Sequence, residues 1–247
     1  MAQVLWGLGY NDQAEQRSQE ALALAQQIGH TPSLAHAQFF AAILAQSRRD
    51  IAATYARADA LIAFATAQGL AHRVEQGRIL RGWALAMQGD AAAGVAHIRQ
   101  GLAARQDVEH KLGRPYYLAL LAEASGQAGQ PEAGLTALAE ACTLVAATEE
   151  RWWEAEVYRL QGELLCQRPL SDVDQAEACF QQALHVARHQ QAKSLELRAA
   201  MSLARLWQQQ GKRATAYALL APIYGWFTEG FDTADLQEIK ALFEALG

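Results

Sequence analysis

The chain has 247 residues, of which 51% are apolar and five are proline, and its formal net charge is −5. This acidic balance argues against a nucleic-acid partner, because phosphate contacts need a basic face. No run approaches the roughly 18 apolar residues of a membrane span, and the N-terminus lacks the charged and apolar regions of a secretion signal. We therefore expect no membrane association and, by default, a cytoplasmic location.

A small or turn-forming residue recurs about every 40 residues along the whole chain. A second, mostly small position follows each member of this series by five residues. A fixed period of this length indicates a repeat array, in which each unit buries its apolar face against its neighbours. The first series consists of Gly9, Arg49, Gly89, Gly129, Ser171 and Gly211, and the second of Ala14, Thr54, Gly94, Gly134, Ala176 and Ala216.

Each unit has the pattern of two helices joined by a turn. In the third unit, residues 73–88 carry apolar side chains at helical spacing until Gly89-Asp90 ends the pattern. Glycine suits the left-handed residue that follows a helix, and Asp90 is suited to cap the next helix, predicted at about 91–107. In the fifth unit the two extra residues fall in the turn 169–172, so both helices keep their register.

These patterns predict an all-α fold, namely a right-handed α-solenoid of about six helix-turn-helix repeats that forms a single domain over 1–247. The first repeat starts in the middle of its first helix, so we expect the sequence to be part of a longer protein. A last helix should cover the apolar end of the array. The predicted repeats are 1–28, 33–68, 72–107, 114–147, 152–191 and 194–227, with a capping helix at 232–246.

The spacing of small residues within a unit resembles the tetratricopeptide (TPR) pattern. Small positions on the two helices lie twelve residues apart, as in Gly82/Gly94 and Ala122/Gly134. The tetratricopeptide repeat has a period of about 34, and the additional residues here would lengthen the second helices and the connections. HEAT-type repeats also have periods of about 40 and remain an alternative.

Segments 159–165, 175–206 and 219–246 resemble the C-terminal TPR region of large bacterial signalling proteins, and 5–14 and 81–90 resemble its earlier repeats. In that family an adenylate/guanylate cyclase or DNA-binding regulatory domain precedes an AAA/STAND-type ATPase and then the TPR array. The resemblance implies a non-catalytic interaction or regulatory scaffold, the C-terminal sensor or interaction domain of such a protein. It transfers no catalytic residue.

A second role stays open. Arrays of this 40-residue kind also resemble the sensor region of the maltose-operon activator, which binds a small inducer. The alternative function is therefore a small-ligand sensing domain that holds a metabolite in its concave groove.

A search for chemical motifs predicts no enzyme activity, no cofactor and no metal site, since phosphate-binding glycine loops are absent from the sequence. His185 and His189 lie four residues apart but lack the other ligands of a zinc site. Cys142, Cys166 and Cys179 have no C-x-x-C spacing, and we expect them to be small buried side chains.

The candidate binding site is the concave groove, which the first helices of each repeat line in the TPR family. An aromatic and apolar half should adjoin a charged half there, suited to a protein or peptide segment or to other domains of the parent chain. The alternative for the charges is ion pairing between neighbouring helices, such as Glu156 or Glu163 with Arg198 or Arg205. The Lys/Asn clamp of chaperone-binding TPR domains has no counterpart here. The predicted groove residues are Phe39, Ile43, Gln76, Trp83, Tyr116, Glu123, Glu156, Arg159, Glu163, Arg198 and Arg205.

Overall fold

The computed structural model describes residues 1–104, 112–168 and 172–246, and it contains no β-strand in these ranges. They form 13 α-helices, which confirms the expected all-α class. Within the described ranges, none of the helices combines the length and apolar content that crossing a bilayer requires. The helices are α1 (Ala2–Gly7), α2 (Asn11–Ile28), α3 (Thr31–Ser47), α4 (Ile51–Ala67), α5 (Ala71–Met87), α6 (Ala91–Ala103), α7 (Arg114–Gln127), α8 (Pro131–Thr148), α9 (Glu154–Cys166), α10 (Val173–His189), α11 (Lys193–Gln209), α12 (Arg213–Tyr224) and α13 (Ala234–Leu246).

Consecutive helices pack in pairs, α1 with α2 through α11 with α12, and α13 follows alone. Helix α6 ends at Ala103 with Ala104 as its C-cap, and residues 105–107 of the helix predicted at about 91–107 lie outside the described residues. Ser171 and the preceding Pro169-Leu170 of the fifth turn lie outside them too.

The 40-residue series marks the left-handed residue between the two helices of a pair. Gly89 has φ +105° there, and Arg49 occupies the same position with φ +59°. A left-handed backbone costs a residue with a Cβ roughly 1–2 kcal/mol, so Arg49 needs a compensating interaction. Asp90 caps the helix that follows by accepting the Ala93 N–H at 3.3 Å, and Asp172 caps α10 by accepting the Gln175 N–H at 3.0 Å. The predicted cap at Asp90 is confirmed.

Glycines set the distance between the two helices of the third pair. A Cβ atom on Gly94 would lie 2.5 Å from the Gly82 carbonyl oxygen, and a Cβ on Gly82 would lie 2.8 Å from the Gly94 carbonyl oxygen. The backbones of α5 and α6 therefore touch directly. In the fifth pair Gly162 faces the Phe180 ring in the same way, with 2.5 Å between its ideal Cβ and the ring. These contacts confirm Gly82 and Gly94 as close-approach points.

First helices stack on one another across the pairs. Helix α3 contacts α5, α5 contacts α7, α7 contacts α9, and α9 contacts α11, and contacts of the same kind place α1 against α3 and α11 against α13. Among the described residues, the second helices α2, α4, α6, α8, α10 and α12 make no comparable contacts with each other. Because the first helices are closer together than the second helices, the array curves with the first helices on its inner side.

This curvature brings the two ends of the array together, and α1 packs against α11. The Ser194 hydroxyl donates a hydrogen bond to the Trp6 carbonyl at 2.5 Å. The Glu229 carboxylate accepts the backbone N–H groups of Asp12 and Gln13 at 2.9 and 3.1 Å. These N–H groups lie in the first turn of α2, where the helix itself offers no acceptor. A residue more than 200 positions away accepts them instead. The array is closed.

The three cysteines differ from expectation. Cys142 and Cys179 are half-buried and Cys166 is exposed. Cys166 is the last residue of α9, where the helix leaves the core, so the expectation of three buried side chains is wrong.

The close approach of α5 and α6 generates a prediction. Gly94→Ala is expected to lower the free energy of unfolding by about 1–3 kcal/mol, because the new methyl group meets the Gly82 backbone. Helix propensity alone favours Ala by about 1 kcal/mol, so the two effects have opposite signs. Urea unfolding followed by far-UV circular dichroism measures the difference. Gly7→Ala is the control, since no atom lies within 4 Å of its ideal Cβ. An equal loss in both variants would contradict the assignment.

Candidate functional site

The aromatic half of the predicted groove is buried inside the array. Phe39, Ile43, Trp83 and Tyr116 lie on the inner side of α3, α5 and α7, and all four are buried. The Tyr116 hydroxyl donates a hydrogen bond to the Gln46 side chain at 2.8 Å, which joins α7 to α3 across the inner side. These residues form the core of the closed array, so a partner cannot reach them.

Polar side chains in this half are also used internally. The predicted groove residue Gln76 is buried and donates to the Tyr117 hydroxyl at 3.0 Å. The Trp83 indole N–H donates to Glu123 at 2.6 Å. This last bond connects the aromatic half to the charged half.

Glu156 is the centre of the charged half. Arg159, one turn further along α9, donates to both of its carboxylate oxygens, at 2.9 and 2.7 Å. Arg198 of α11 approaches the same carboxylate at 3.6 Å. This contact confirms the alternative that Glu156 and Arg198 form an ion pair between neighbouring helices. The side chains of Glu156 and Arg198 are both almost fully buried.

Arg198 also joins the two ends of the array. Its Nε donates to Asp235 of α13 at 2.8 Å, and its guanidinium donates to the Ser47 carbonyl at the end of α3. Its guanidinium lies 5.2 Å from the centre of the Trp6 ring. One side chain therefore contacts α1, α3, α9 and α13.

Three residues of this network were not predicted from the sequence. Arg49 pairs with Asp235 at 3.1 Å and with Glu238 at 2.8 Å, and Glu238 also pairs with Arg205 at 2.9 Å. A signal for Arg49 exists, because it stands where the period calls for glycine. Nothing comparable marks Asp235 or Glu238, which belong to the last helix and have no equivalent in the other pairs.

Only part of the predicted groove stays accessible among the described residues. The side chains of Glu163 and Arg205 are 34% and 43% exposed. They border a polar cavity of about 200 Å³, to which Glu123, Arg159, Arg198 and Glu238 also contribute. Ser202 donates to Glu163 at 2.6 Å on its wall. For most predicted groove residues the expectation of an open surface is wrong, because closure of the array buries them.

Burial and neighbouring charge move the pKa values of two carboxylates in opposite directions. Burial by itself raises the pKa of Glu156, but the charge and hydrogen bonds of Arg159, helped by Arg198 and Arg49, outweigh it and lower that pKa to about 2. Burial raises the pKa of Glu123 above its usual value, against the attraction of Arg159. Perturbed carboxylates occur both at functional sites and in structural ion pairs. Here both oxygens of Glu156 are taken by Arg159.

His185 and His189 are both exposed on α10. Within the parts of the chain that the structure describes, no group of three or more His, Cys, Asp or Glu side chains has an arrangement that could hold a metal ion. The tryptophans differ in environment: Trp152 is partly exposed, whereas Trp153 next to it is buried and stacks on Trp6 at 5.6 Å between ring centres.

Comparisons with known proteins give a fold and a distant relative. No protein-family profile matches the sequence. The "uncharacterized protein R02095" of Rhizobium meliloti (strain 1021) is 26% identical over 206 residues, which are 83% of this chain and 20% of the relative. The chain thus spans about one fifth of the length of that relative. The crystal structure of BtubC (BKLC) from P. vanneervenii is similar with a TM-score of 0.59 and 15% identity, over 89% of this chain and 94% of that one. At this identity the similarity concerns the fold alone.

The pKa values predict opposite effects for two matched substitutions. Glu156 has a lower pKa in the folded state, so its ionised form stabilises the fold above about pH 4.5, and this contribution is lost as the pH falls from 4.5 to about 2. Glu156→Gln should therefore lower the free energy of unfolding near pH 7 by about 3 kcal/mol. It should also flatten the loss of stability in acid.

The contribution of Glu123 to stability depends on pH in the opposite direction. Its raised folded-state pKa means that ionisation opposes folding above that pKa, and the opposition disappears as the pH falls toward 4.5. Glu123→Gln keeps an oxygen to accept the Trp83 N–H and should cause no loss of stability near pH 7. Urea unfolding curves near pH 7 and pH 3 measure both variants. The same loss for both substitutions would show that the two carboxylates are not distinguished as described.

Proposed function

We propose that the array is a right-handed, TPR-like α-solenoid that serves as a non-catalytic protein–protein interaction or regulatory scaffold. We further propose that it is the C-terminal sensor or interaction domain of a larger bacterial signalling protein of the ATPase/cyclase type. The stacking of first helices supports the solenoid class. The bacterial relative, about five times as long as the matched region, supports a place in a longer protein.

The observation that carries the proposal is an apolar groove between α2 and α3, beside the start of α1. It has a volume of about 730 Å³, and small side chains such as Ala21 and Ala37 are among those that line it. Larger apolar side chains stand exposed on its walls: Leu24 is 57% and Ile28 61% exposed, and Phe40 lies opposite them. Single exposed apolar residues are ordinary, but contiguous patches mark interaction surfaces.

The occupant that fits this groove is an apolar helical segment of the same larger protein. The groove lies beside the start of α1, and a helical segment bound there would pack along α2 as α3 packs along α4. Apolar helix faces commonly bind in such grooves, through residues on successive turns.

Extending the chain tests this proposal. The residues encoded in frame upstream of Met1 are added, and the extended and original chains are compared by carbene footprinting of side chains. We expect labelling of Leu24 and Ile28 to fall at least several-fold in the extended chain. Tyr217 on α12 is half exposed and does not line the groove, and its labelling should not change. Unchanged labelling at Leu24 and Ile28, or a stop codon directly upstream, would refute the proposal.

The polar cavity favours a second candidate function, the sensing of a small polar inducer. Arg159, Glu163 and Arg205 offer charges of both signs around its volume of about 200 Å³. A ligand at 100 times its Kd should raise the free energy of unfolding by about 2.7 kcal/mol. A thermal-shift screen of amino acids and small organic acids measures this, and Arg205→Ala should abolish any stabilisation that comes from this cavity. No stabilisation by any of these compounds would remove the second candidate.

A further inference from the structure

The polar cavity of about 200 Å³ contains two opposite charges that a dissolved molecule can reach. The side chain of Glu163 on α9 is 34% exposed, and that of Arg205 on α11 is 43% exposed. We call these two side chains the cavity charges. Because both are accessible, a ligand can contact them without any movement of the buried core.

The cavity charges lie close together. The Glu163 carboxylate accepts a hydrogen bond from the Ser202 hydroxyl at 2.6 Å. Ser202 precedes Arg205 by three residues on α11, and residues at this spacing lie on one face of a helix with roughly 5–6 Å between their Cβ atoms. A small molecule in the cavity can therefore contact both charges at once.

Although they are close, the cavity charges do not pair with each other. Within the described part of the chain, Glu163 and Arg205 form no ion pair together, because Arg205 Nη2 pairs with Glu238 at 2.9 Å. Glu163 uses only Oε1, which accepts from Ser202 and from Arg159. Nε and Nη1 of Arg205 and Oε2 of Glu163 have no hydrogen-bond partner among the described residues. Two donors and one acceptor are thus left for a ligand.

Neighbouring charges keep both side chains in position. Arg159 lies 3.3 Å from the Glu163 carboxylate. Glu238, which pairs with Arg205, also pairs with Arg49 at 2.8 Å. Side chains that are already ordered lose little conformational entropy when a ligand binds. The two opposite charges are therefore presented at a defined separation.

Charges of both signs favour a ligand that also carries both. A carboxylate on Arg205 and an ammonium group on Glu163 would each form charge-assisted hydrogen bonds, which are stronger than neutral ones. A molecule with a single charge would satisfy one of the two residues and lie beside the other with like charge, which is unfavourable. The volume of the cavity corresponds to about six or seven water molecules, so the ligand must be small.

We propose that the polar cavity binds a small zwitterion, an α-amino acid, with its carboxylate on Arg205 and its ammonium group on Glu163. Because the cavity charges lie within one helix turn of each other, the two charges of the ligand must also be close, as they are in an α-amino acid. The inference rests on the second candidate function, the sensing of a small polar inducer, and gives that inducer a chemical class. It does not depend on the apolar groove, which shares no lining residue with the polar cavity.

Isothermal titration calorimetry with L-alanine and L-leucine as probes tests the proposal. We expect one-site binding with a Kd below about 1 mM for at least one of them. Two analogues of the tighter-binding amino acid have the same size and one charge fewer: the 2-hydroxy acid lacks the ammonium group, and the amide lacks the carboxylate. Each analogue should bind at least about tenfold more weakly, because one charge-assisted contact is lost.

Substitutions assign the two contacts. Glu163→Gln keeps an oxygen that can accept the Ser202 hydroxyl, and Arg205→Ala shortens a half-exposed side chain, so both variants should fold, which circular dichroism melting curves check. Each should weaken binding of the amino acid at least about tenfold. In Glu163→Gln the amino acid should also lose its advantage over the 2-hydroxy acid, and in Arg205→Ala its advantage over the amide. A purely structural role of these residues would not exchange the preferences in this way.

Matched controls make the same changes outside the cavity. Arg114 and Glu140 form an ion pair at 2.7 Å and do not line the polar cavity. Glu140→Gln and Arg114→Ala should therefore leave the Kd unchanged.

Three results would overturn the proposal. Equal or tighter binding of the 2-hydroxy acid or the amide would refute the zwitterion and leave the sensing of a small polar inducer intact. Equal weakening by the control substitutions would place binding outside the polar cavity. Absence of binding by both amino acids at millimolar concentration would also refute the zwitterion, and the second candidate function fails with it only when the other compounds of the thermal-shift screen fail as well.

Discussion

The structure depends on one buried interaction, the contact of Arg198 with carboxylates from both sides of it. Glu156 of α9 and Asp235 of α13 neutralise this guanidinium, and the carbonyl of Ser47 takes another of its donors. A buried charge is tolerated only when partners satisfy it, and these partners come from α3, α9 and α13. The inner helices must therefore be in their closed arrangement before Arg198 can be buried. An open array would leave the charge in water and the aromatic core exposed.

Closure changes which surfaces are free for binding. An open, curved array offers its inner side to a partner, but here Trp83 and Tyr116 pack as core and Gln76 is hydrogen-bonded within the molecule. Accessible surfaces remain at the edges: the apolar groove between α2 and α3, and the polar cavity beside Arg205. The apolar groove adjoins the start of α1.

Arg49 illustrates how closure alters the repeat. Four glycines in the same series take up a left-handed backbone at no steric cost. Arg49 accepts that conformation, and its guanidinium pairs with Asp235 and Glu238 of α13. The ion pairs offset the backbone strain. They also join the end of α3, the first helix of the second pair, to the last helix of the chain. A departure from the period was thus the one local sign of a long-range contact.

The sequence by itself determined the helices, turns and caps of a pair, because these depend on neighbours close in the chain: apolar spacing for α5, Gly89 for the turn and Asp90 for the cap. It also determined the close approach of Gly82 and Gly94, and it allowed the pairing of Glu156 with Arg198 as an alternative. Only the tertiary structure decided that the array closes. Closure rests on contacts such as Trp6 with Ser194 and Asp12 with Glu229, between residues about 190 and 220 positions apart. Small changes in the angle between successive pairs add up over the array, and no local pattern records their sum. For that reason the inner residues were correctly placed on one face but wrongly expected to be open, and Asp235 and Glu238 were missed.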